Sequence, residues 1–474
     1  MLTTCPLLPA EHNRYQLLLS HYPIIQSVDQ QVRLQGGKVL IVGGAVRNII
    51  MDLPIIDIDL EVYGVSIQEL QNILSAHGRV DYVGKSFGVL RVVKFPLDWA
   101  IPRQDQAGRK PEVTLIPDLS VEVALRRRDI TMNAMAIDVK SGMLYDPFNG
   151  RRDIEARLLR APDALFFAQD PLRFYRVLQF ISRFDCYPDQ ELTTICRTID
   201  LTAVSQERIA GEFEKLLLKS PAPSRGIRWL ASIDRLEEVM PELYSTQGIL
   251  QNYEWHPEGD VFEHTMQVVD SAATQDYPDA AMRKIVLYTA LCHDLGKAVS
   301  TNIIDGCIRS RGHEMSGVPL AQSLMARIAG ATKLTSAVAR LVRHHMVPGQ
   351  LVANEAKPAA YKRLACELAP CATIRMLSLL AYADHRGRNA CKGAPLTIPV
   401  PEIDAFVAQA ENAGVFDRPE HPILSGADIR DLVPEGPLMG RALKHAYELQ
   451  INRDIQDKTE LLRRVKTGLP GKKN

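Results

Sequence analysis

Two aspartates one residue apart, Asp57 and Asp59 in Ile56-Asp57-Ile58-Asp59-Leu60, are the pair in this chain whose spacing speaks most directly of chemistry. Side chains alternate along a strand, so the pattern predicts both carboxylates on one face, with Ile56, Ile58 and Leu60 buried on the other. Carboxylates held side by side repel unless a divalent cation lies between them, and an oxygen-only donor set suits Mg2+. Just upstream, Lys38-Val39-Leu40-Ile41-Val42 reads as a buried strand, Gly43-Gly44 as a tight turn and residues 45–51 as a helix. Glycines ahead of a helix N-terminus let backbone N–H groups approach an anion. Gly44 and Arg47, the latter one turn into the helix, are placed to hold a phosphate. A triphosphate cradle joined to a metal-bearing strand supplies the parts for nucleotidyl transfer.

A second constellation lies downstream. Seven of the twelve histidines fall between His256 and His385, in a region of helical periodicity, and such clustering points to a metal site. His264 sits on an amphipathic helix, and His293-Asp294 stands where an apolar helix meets Gly296. His313, His344-His345 and Asp384 follow. Imidazoles and carboxylates gathered from separate helices suit a divalent transition metal such as Ni2+ or Mn2+ better than magnesium alone. Such an ion acidifies water for attack on phosphorus.

The elements that must position these residues fall into an order. Residues 1–36 read as a helical extension, and residues 37–160 alternate short β-branched runs with helices. The strands are expected at 38–42, 56–63, 80–83, 89–95 and 97–101, and the helices at 45–51 and 66–76, the second opened by the capping box Ser66-x-x-Glu69. Asp98, alternating with Leu97 and Trp99, brings a third carboxylate to the Asp57/Asp59 edge from an adjacent strand. Beyond Pro162 the strand signal gives way to amphipathic helices over residues 161–255, then to the histidine-rich helical region 256–390 and a helical C-terminal region 391–474. The fold class is α+β: a small mixed-sheet head followed by all-α parts. Gly84-Lys85-Ser86 resembles the end of a P-loop, but Gly78 lies one residue too far upstream and a strand follows, so that reading fails.

At 474 residues the chain is long enough for about three cores. No apolar stretch is long enough to span a membrane, and the first residues lack the layout of a signal peptide, so a cytoplasmic protein is expected. The eight cysteines include no Cys-x-x-Cys, which argues against a zinc ribbon or disulfide framework and fits a reducing compartment. Net charge is zero, yet Arg126-Arg127-Arg128, Arg151-Arg152, Arg173, Arg176 and Arg183 concentrate base in the first half, and Arg463-Arg464, Lys466 and Lys472-Lys473 at the end. A local basic patch binds RNA without a basic whole.

Five motifs then follow in order: Val42-Gly43-Gly44-Ala45-Val46-Arg47, Asp57-Ile58-Asp59, residues 127–136 (RRDITMNAMA), Asp146-Pro147-Phe148-Asn149-Gly150 and Asp170-Pro171-Leu172-Arg173-Phe174-Tyr175-Arg176. Together, over residues 38–220, they resemble the class II tRNA nucleotidyltransferase and bacterial poly(A) polymerase family. The resemblance implies that Asp57 and Asp59 hold magnesium, that Gly44 and Arg47 contact the triphosphate and that Arg128 and Asp129 hold ribose and phosphates. It also implies that Asp170 and Arg173 present hydrogen bonds to the edge of C or A in place of a template, with Arg176 as a further nucleotide contact. Residues three apart on a helix project together, which suits an Asp–Arg pair to that task. Asn48 stands where the family usually has aspartate, and Gln169 where a glutamate is common.

His264, His293, Asp294 and Asp384 resemble the ligand set of the HD phosphohydrolases, with His293 and Asp294 also at the chemistry, and His313 and His344 as additions near a phosphate or a second metal. HD domains trail the transferase in one branch of the CCA-adding enzymes. The resemblance there implies 2′,3′-cyclic phosphodiesterase, 2′-nucleotidase or phosphatase activity on RNA ends. The expectation is therefore a CCA-adding enzyme acting on tRNA with CTP and ATP, monomeric or homodimeric. A poly(A) polymerase of the same build and a non-catalytic RNA-binding scaffold are the alternatives.

Overall fold

Short β-branched runs in the first 150 residues assemble one mixed sheet in this computed structural model, which describes residues 4–83, 88–105, 113–330, 332–390 and 394–468. Gly84-Lys85-Ser86, Cys391 and Lys472-Lys473 lie outside the described residues. The strands are β1 (Thr4–Pro6), β2 (Lys38–Val42), β3 (Ile58–Tyr63), β4 (Val80–Tyr82), β5 (Val89–Val92) and β6 (Leu97–Ala100). A separate hairpin of β7 (Arg103–Asp105) and β8 (Val113–Leu115) follows, then β9 (Ala136–Asp138) and β10 (Met143–Tyr145). The eight strands of the main sheet run in the order β1-β10-β9-β2-β3-β6-β5-β4.

The central strand β3 lies antiparallel to β2, with Val42 opposite Asp59, and parallel to β6, with Asp59 opposite Asp98. Strand alternation splits these residues between two layers. Val39, Ile41, Ile58, Leu60, Val62, Leu97 and Trp99 pack into the larger core on one face, while Leu40 and Val42 face a smaller cluster with Val121, Ala124 and Leu125 on the other. The acids Asp59, Glu61 and Asp98 alternate with the first set and so share the second face. Covering of both faces explains the unbroken apolar run of β2.

Ile56 is 69% exposed and precedes β3, so the expected burial of Ile56 beside Ile58 and Leu60 is corrected. The chain reaches β3 through Pro54 and becomes strand only where Ile58 donates its N–H to Pro96 O. The Ser66 capping box forms as read, with Glu69 N on Ser66 Oγ and Ser66 N on Glu69 Oε2. Residues before 37 are helical over Pro9–His21 and Ile24–Leu34, but Thr4–Pro6 also pairs with β10, and Arg33 binds Asp138 of β9 at 2.9 Å. That segment is thus part of the head's own packing.

The chain divides into two compact units, Met1–Val204 and Ser205–Asn474. In the second unit the helix Val261–Thr274 buries nearly its whole length, as a helix apolar on most sides must, and packs against Ala280–Cys292 and Ile374–Arg386. One antiparallel hairpin, Thr301–Ile304 with Cys307–Ser310, interrupts the helices. The seven described cysteines are free thiols. Among the described residues, no helix is long and apolar enough to cross a membrane.

Candidate catalytic cleft and candidate metal centre

Gly43 caps the helix Gly44–Met51 with φ +72, a conformation that favours glycine. A Cβ placed there would stand 2.3 Å from Arg128 Nη1 and 3.5 Å from Asp59 Oδ2. The glycine turn, the metal-candidate carboxylate and the basic loop therefore meet at one point. The carboxylate and the basic loop border an open cleft of about 250 Å³ lined by Asp59, Glu61, Asp98, Arg103, Arg127 and Arg128 among others. Asp57 is exposed, one residue before β3, and not among the lining residues. Desolvation by the cleft walls pushes Asp59's carboxyl above its ordinary value, although the side chain reaches solvent; Asp98, Glu61 and Asp57 add to the rise and Arg128 opposes it. Crowded carboxylate oxygens are donors of the kind a hard cation such as Mg2+ takes. Asp98 joins the edge as expected, but Arg91 already holds it through two contacts of 2.6 and 2.8 Å.

Glu61, which the sequence reading passed over, continues the same alternation two residues beyond Asp59. It is buried, and accepts from Arg128 at 3.1 Å, Arg127 at 3.5 Å and Tyr63 Oη at 3.0 Å. Burial alone would push its carboxyl up, but Arg128, Arg127 and Tyr63 hold it below the usual range. Its charge holds two of the three consecutive arginines against the cleft.

Three of the remaining nucleotide candidates, Arg47, Asp129 and Arg176, form one hydrogen-bonded chain through Asn133. Arg47 is buried and donates to Asn133 Oδ1 at 2.6 Å and to Asn48 Oδ1 at 2.8 Å, with Phe184 stacked on its guanidinium at 4.4 Å. Burial, with Arg183 and Arg176 close by, lowers its pKa to about 10 against the pull of Asp129. Asn133 Nδ2 donates to Asp129 Oδ1 at 2.9 Å, and Arg176 meets Asp129 Oδ2 at 2.6 Å. Arg173 donates to the carbonyls of Phe166 (2.7 Å) and Arg127 (2.8 Å), and Asp170 Oδ1 accepts from Leu172 N. Asp170 stands just before the N-cap Pro171 of the helix Leu172–Phe184 and Arg173 in its first turn, so the expected pairing of the two along one helix is corrected: only Arg173 is helical. The Asp146-to-Gly150 motif is architectural. Asp146 accepts from the amides of Gly150 and Arg151, and a Cβ on Gly150 would stand 2.3 Å from Thr131 O.

In the second unit His264, His293, Asp294 and Asp384 converge. His264 Nε2 lies 3.0 Å from Asp384 Oδ1, 3.5 Å from Asp294 Oδ2 and 3.4 Å from His293 Nε2. His293 Nε2 lies 3.3 Å from Asp294 Oδ2, and its Nδ1 lies 2.9 Å from the carbonyl of Ala290. Glu258 Oε1 stands 2.6 Å from His264 Nδ1 and 2.9 Å from His256 Nδ1, so it orients the ring from behind. Burial would push Asp294 and Asp384 up, but Lys297 and His293 for the first, and Arg388 and His264 for the second, keep both carboxylates well below the usual range. Ionised carboxylates and inward Nε2 atoms fit a borderline transition metal. His313 also reaches Asp294, at 3.3 Å, but His344 does not join: its Nδ1 faces Glu367 at 3.7 Å. The adjacent His345 takes the inward place, 3.0 Å from His313 Nε2, because the two neighbours leave the end of the helix Thr332–His344 in different directions.

Residues 39–160 match the Poly A polymerase head domain, so the sheet, glycine turn and carboxylate cleft are those of this class of nucleotidyltransferase head. The chain is also 32% identical over 425 residues to the multifunctional CCA protein of Methylococcus capsulatus, covering 86% of this chain and 92% of that protein. It belongs to the multifunctional CCA protein family of nucleotidyltransferases. In fold it is similar to the Bacillus stearothermophilus CCA-adding enzyme in complex with CTP, with a TM-score of 0.60, 21% identity and 94% and 98% of the two chains covered. It is likewise similar to the Thermotoga maritima CCA-adding enzyme complexed with tRNA, with a TM-score of 0.55, 16% identity and 99% and 100% coverage.

Proposed function

We propose that the chain adds C and A to tRNA 3′ ends from CTP and ATP without a nucleic acid template. The observation that carries this reading is the close approach of Gly43 to Arg128 and Asp59, two of the residues that line one cleft. Asp57 and Asp59 would hold Mg2+, which would supply charge neutralisation where the RNA 3′-hydroxyl replaces pyrophosphate at the α-phosphate. Gly44 and Arg47 sit on the triphosphate side, Arg128 and Asp129 on the ribose side. Asp170, Arg173 and Arg176 read the base, because their helix is tied to the Arg127–Asp129 loop by direct hydrogen bonds. The cytosol, where tRNA ends and nucleoside triphosphates meet, is the place of action.

The test is to offer tRNA lacking its terminal nucleotides with CTP, ATP or both. Two C residues with CTP alone and completion with both are expected. A run of A from ATP alone would establish the poly(A) polymerase alternative, and no product would leave only an RNA-binding role. Asp57→Ala and Asp59→Ala should each reduce incorporation by about 10³-fold or more, the scale of losing a catalytic metal.

For the second unit the reading is a metal-dependent phosphohydrolase acting on RNA ends, as a 2′,3′-cyclic phosphodiesterase, 2′-nucleotidase or phosphatase. A transferase needs a free 3′-hydroxyl, and a hydrolase that clears a terminal phosphate provides one. His264, His293, Asp294 and Asp384 would hold the ion, which supplies Lewis acidity at phosphorus. Hydrolysis of a 2′,3′-cyclic phosphate end should vanish in His293→Ala/Asp294→Ala, and its survival there would refute this part.

A further inference from the structure

A loop of the second unit, residues 249–260, is pinned against the histidine centre yet leaves two large rings in water. Val261 N donates to Ile249 O at 3.1 Å and Gly248 N to Asp260 Oδ2 at 2.6 Å, which closes the loop at its base. Gln251 Oε1 accepts from Lys297 Nζ at 2.8 Å, and the same ammonium lies 2.7 Å from Asp294 Oδ2. On the loop's other arm the His256 ring stands edge-on to His264, with centroids 4.8 Å apart, and shares Glu258 with it. Between these two anchors Tyr253 is 75% exposed and Trp255 62% exposed. Their turn is fixed by Asn252, whose Oδ1 accepts from Glu254 N at 3.0 Å and whose carbonyl accepts from Trp255 N at 3.1 Å and His256 N at 2.9 Å.

A single exposed apolar side chain is ordinary on a protein surface. An indole and a phenol two positions apart, on an ordered turn tied to a buried ionised centre, are a different case. Trp255 is the chain neighbour of His256, so its Cα starts about 3.8 Å from that of a residue whose ring touches His264. The side of the centre near His256 is also cationic. Lys297 and Arg388 both act electrostatically on His256. Arg388 meets Asp384 Oδ2 through Nη2 at 3.0 Å, while its Nε, buried, has no hydrogen-bond partner among the described residues. An anion would satisfy that donor.

A nucleotide has the matching parts: a phosphate for the cations and the centre, and a flat base for the rings. Building on the phosphohydrolase reading of this centre, we infer that Tyr253 and Trp255 form a stacking platform for the terminal base of an RNA end whose phosphate lies at the centre. Every base has a π-face, so such a platform accepts any of them. A phosphate ester without a base has nothing to stack, and the loop therefore favours nucleotides over simple phosphate esters.

The test uses the indole as its own reporter. The full chain, stripped of metal with chelator so that nothing is hydrolysed, is titrated with 2′-AMP, 2′-CMP and inorganic phosphate while tryptophan emission is followed. Trp99 and Trp229 are common to wild type and Trp255→Ala, so the difference between the two proteins is the emission of Trp255, corrected for nucleotide absorption. Both nucleotides are expected to quench that difference, and inorganic phosphate to leave it unchanged. Tyr253→Ala should raise Kd for both nucleotides about tenfold, with circular dichroism retained. A difference emission that neither nucleotide changes, or that inorganic phosphate quenches as well, would overturn the platform, as would an unchanged Kd in Tyr253→Ala. Emission that follows protein concentration and ignores nucleotides would make the rings a contact between two copies, and overturn it too. Hydrolysis is read separately after metal is restored. A wild type that is quenched by nucleotides but leaves a 2′,3′-cyclic end intact would overturn the phosphohydrolase reading and leave the platform standing.

Discussion

Arg176 Nε lies 2.6 Å from Asp129 Oδ2, so two residues expected to contact the nucleotide separately hold each other. Asn133 continues the link to Arg47, and the helix after the glycine turn is thereby connected to the helix Leu172–Phe184 through hydrogen bonds. Burial would push Asp129's carboxyl up, but Arg176 and Asn133 hold it below the usual range. A depressed folded value means that the contribution is present above the unfolded pKa and is lost as pH falls through the folded one. Asp129→Ala is expected to destabilise the protein by about 2–3 kcal/mol at pH 7, the cost of deleting a buried carboxylate that answers Arg176 and Asn133. The difference from wild type should narrow in acid below the ordinary aspartate range. Denaturant titrations of both proteins at neutral and acid pH check this, and KM for CTP and ATP should rise together.

Glu61 acts through Arg127 and Arg128, and is a positioning residue. Glu61→Gln keeps the shape but removes the charge that draws both guanidiniums to the cleft. Incorporation is expected to fall about tenfold, chiefly through KM for the nucleotide, as the loss of a charge-assisted contact of about 1.5 kcal/mol implies. A KM unchanged while kcat falls would show that Glu61 does not set the arginines for nucleotide binding.

The sheet and most helix positions were legible because local patterns and tertiary burial agree. Lys38–Val42 and the Ser66 cap carry their own signals. The shared sheet edge of Asp59 and Asp98 follows from alternation, and the convergence of His264, His293, Asp294 and Asp384 from their motif order. Glu61 was missed although it obeys the same period as Asp59, because a third acid in register reads as an ordinary solvated strand position until its arginines are seen. His344 was chosen over His345 because sequence order does not tell which of two adjacent imidazoles faces inward at a helix end. The partners of Arg47 were equally hidden. Asn133 lies 86 positions away, and no local pattern connects them.

Asn48 takes the guanidinium of Arg47 with a neutral oxygen at 2.8 Å, although the guanidinium is buried and its pKa is already lowered to about 10. A carboxylate there would answer that charge directly. Asn48→Asp removes one hydrogen bond, from Asn48 Nδ2 to Pro54 O, and replaces a neutral acceptor with a charged one. Charge-assisted bonds are roughly twice as strong as neutral ones. A net stabilisation of about 1 kcal/mol is expected, read as a rise in thermal midpoint of a few degrees. A fall in the midpoint would mean that the Pro54 contact outweighs the new ion pair.

Asp270 is buried in the helix Val261–Thr274, where it accepts from Ser224 N at 2.9 Å and Ser224 Oγ at 2.5 Å. Burial pushes its carboxyl up from 3.8 to about 6, against the opposing pull of Ser224, Arg228 and Arg225. A raised folded value places the stabilising, neutral form below the unfolded pKa, and its contribution is lost as pH rises through about 6. Asp270→Asn is neutral throughout. The stability of wild type relative to that variant is therefore expected to decline by roughly 2 kcal/mol between pH 4 and pH 7. Because every other titrating group is common to both proteins, the difference isolates this carboxyl. Urea titrations at half-unit pH steps measure it, and a difference that stays flat across that interval would show that Ser224 and Arg228 hold Asp270 ionised despite its burial.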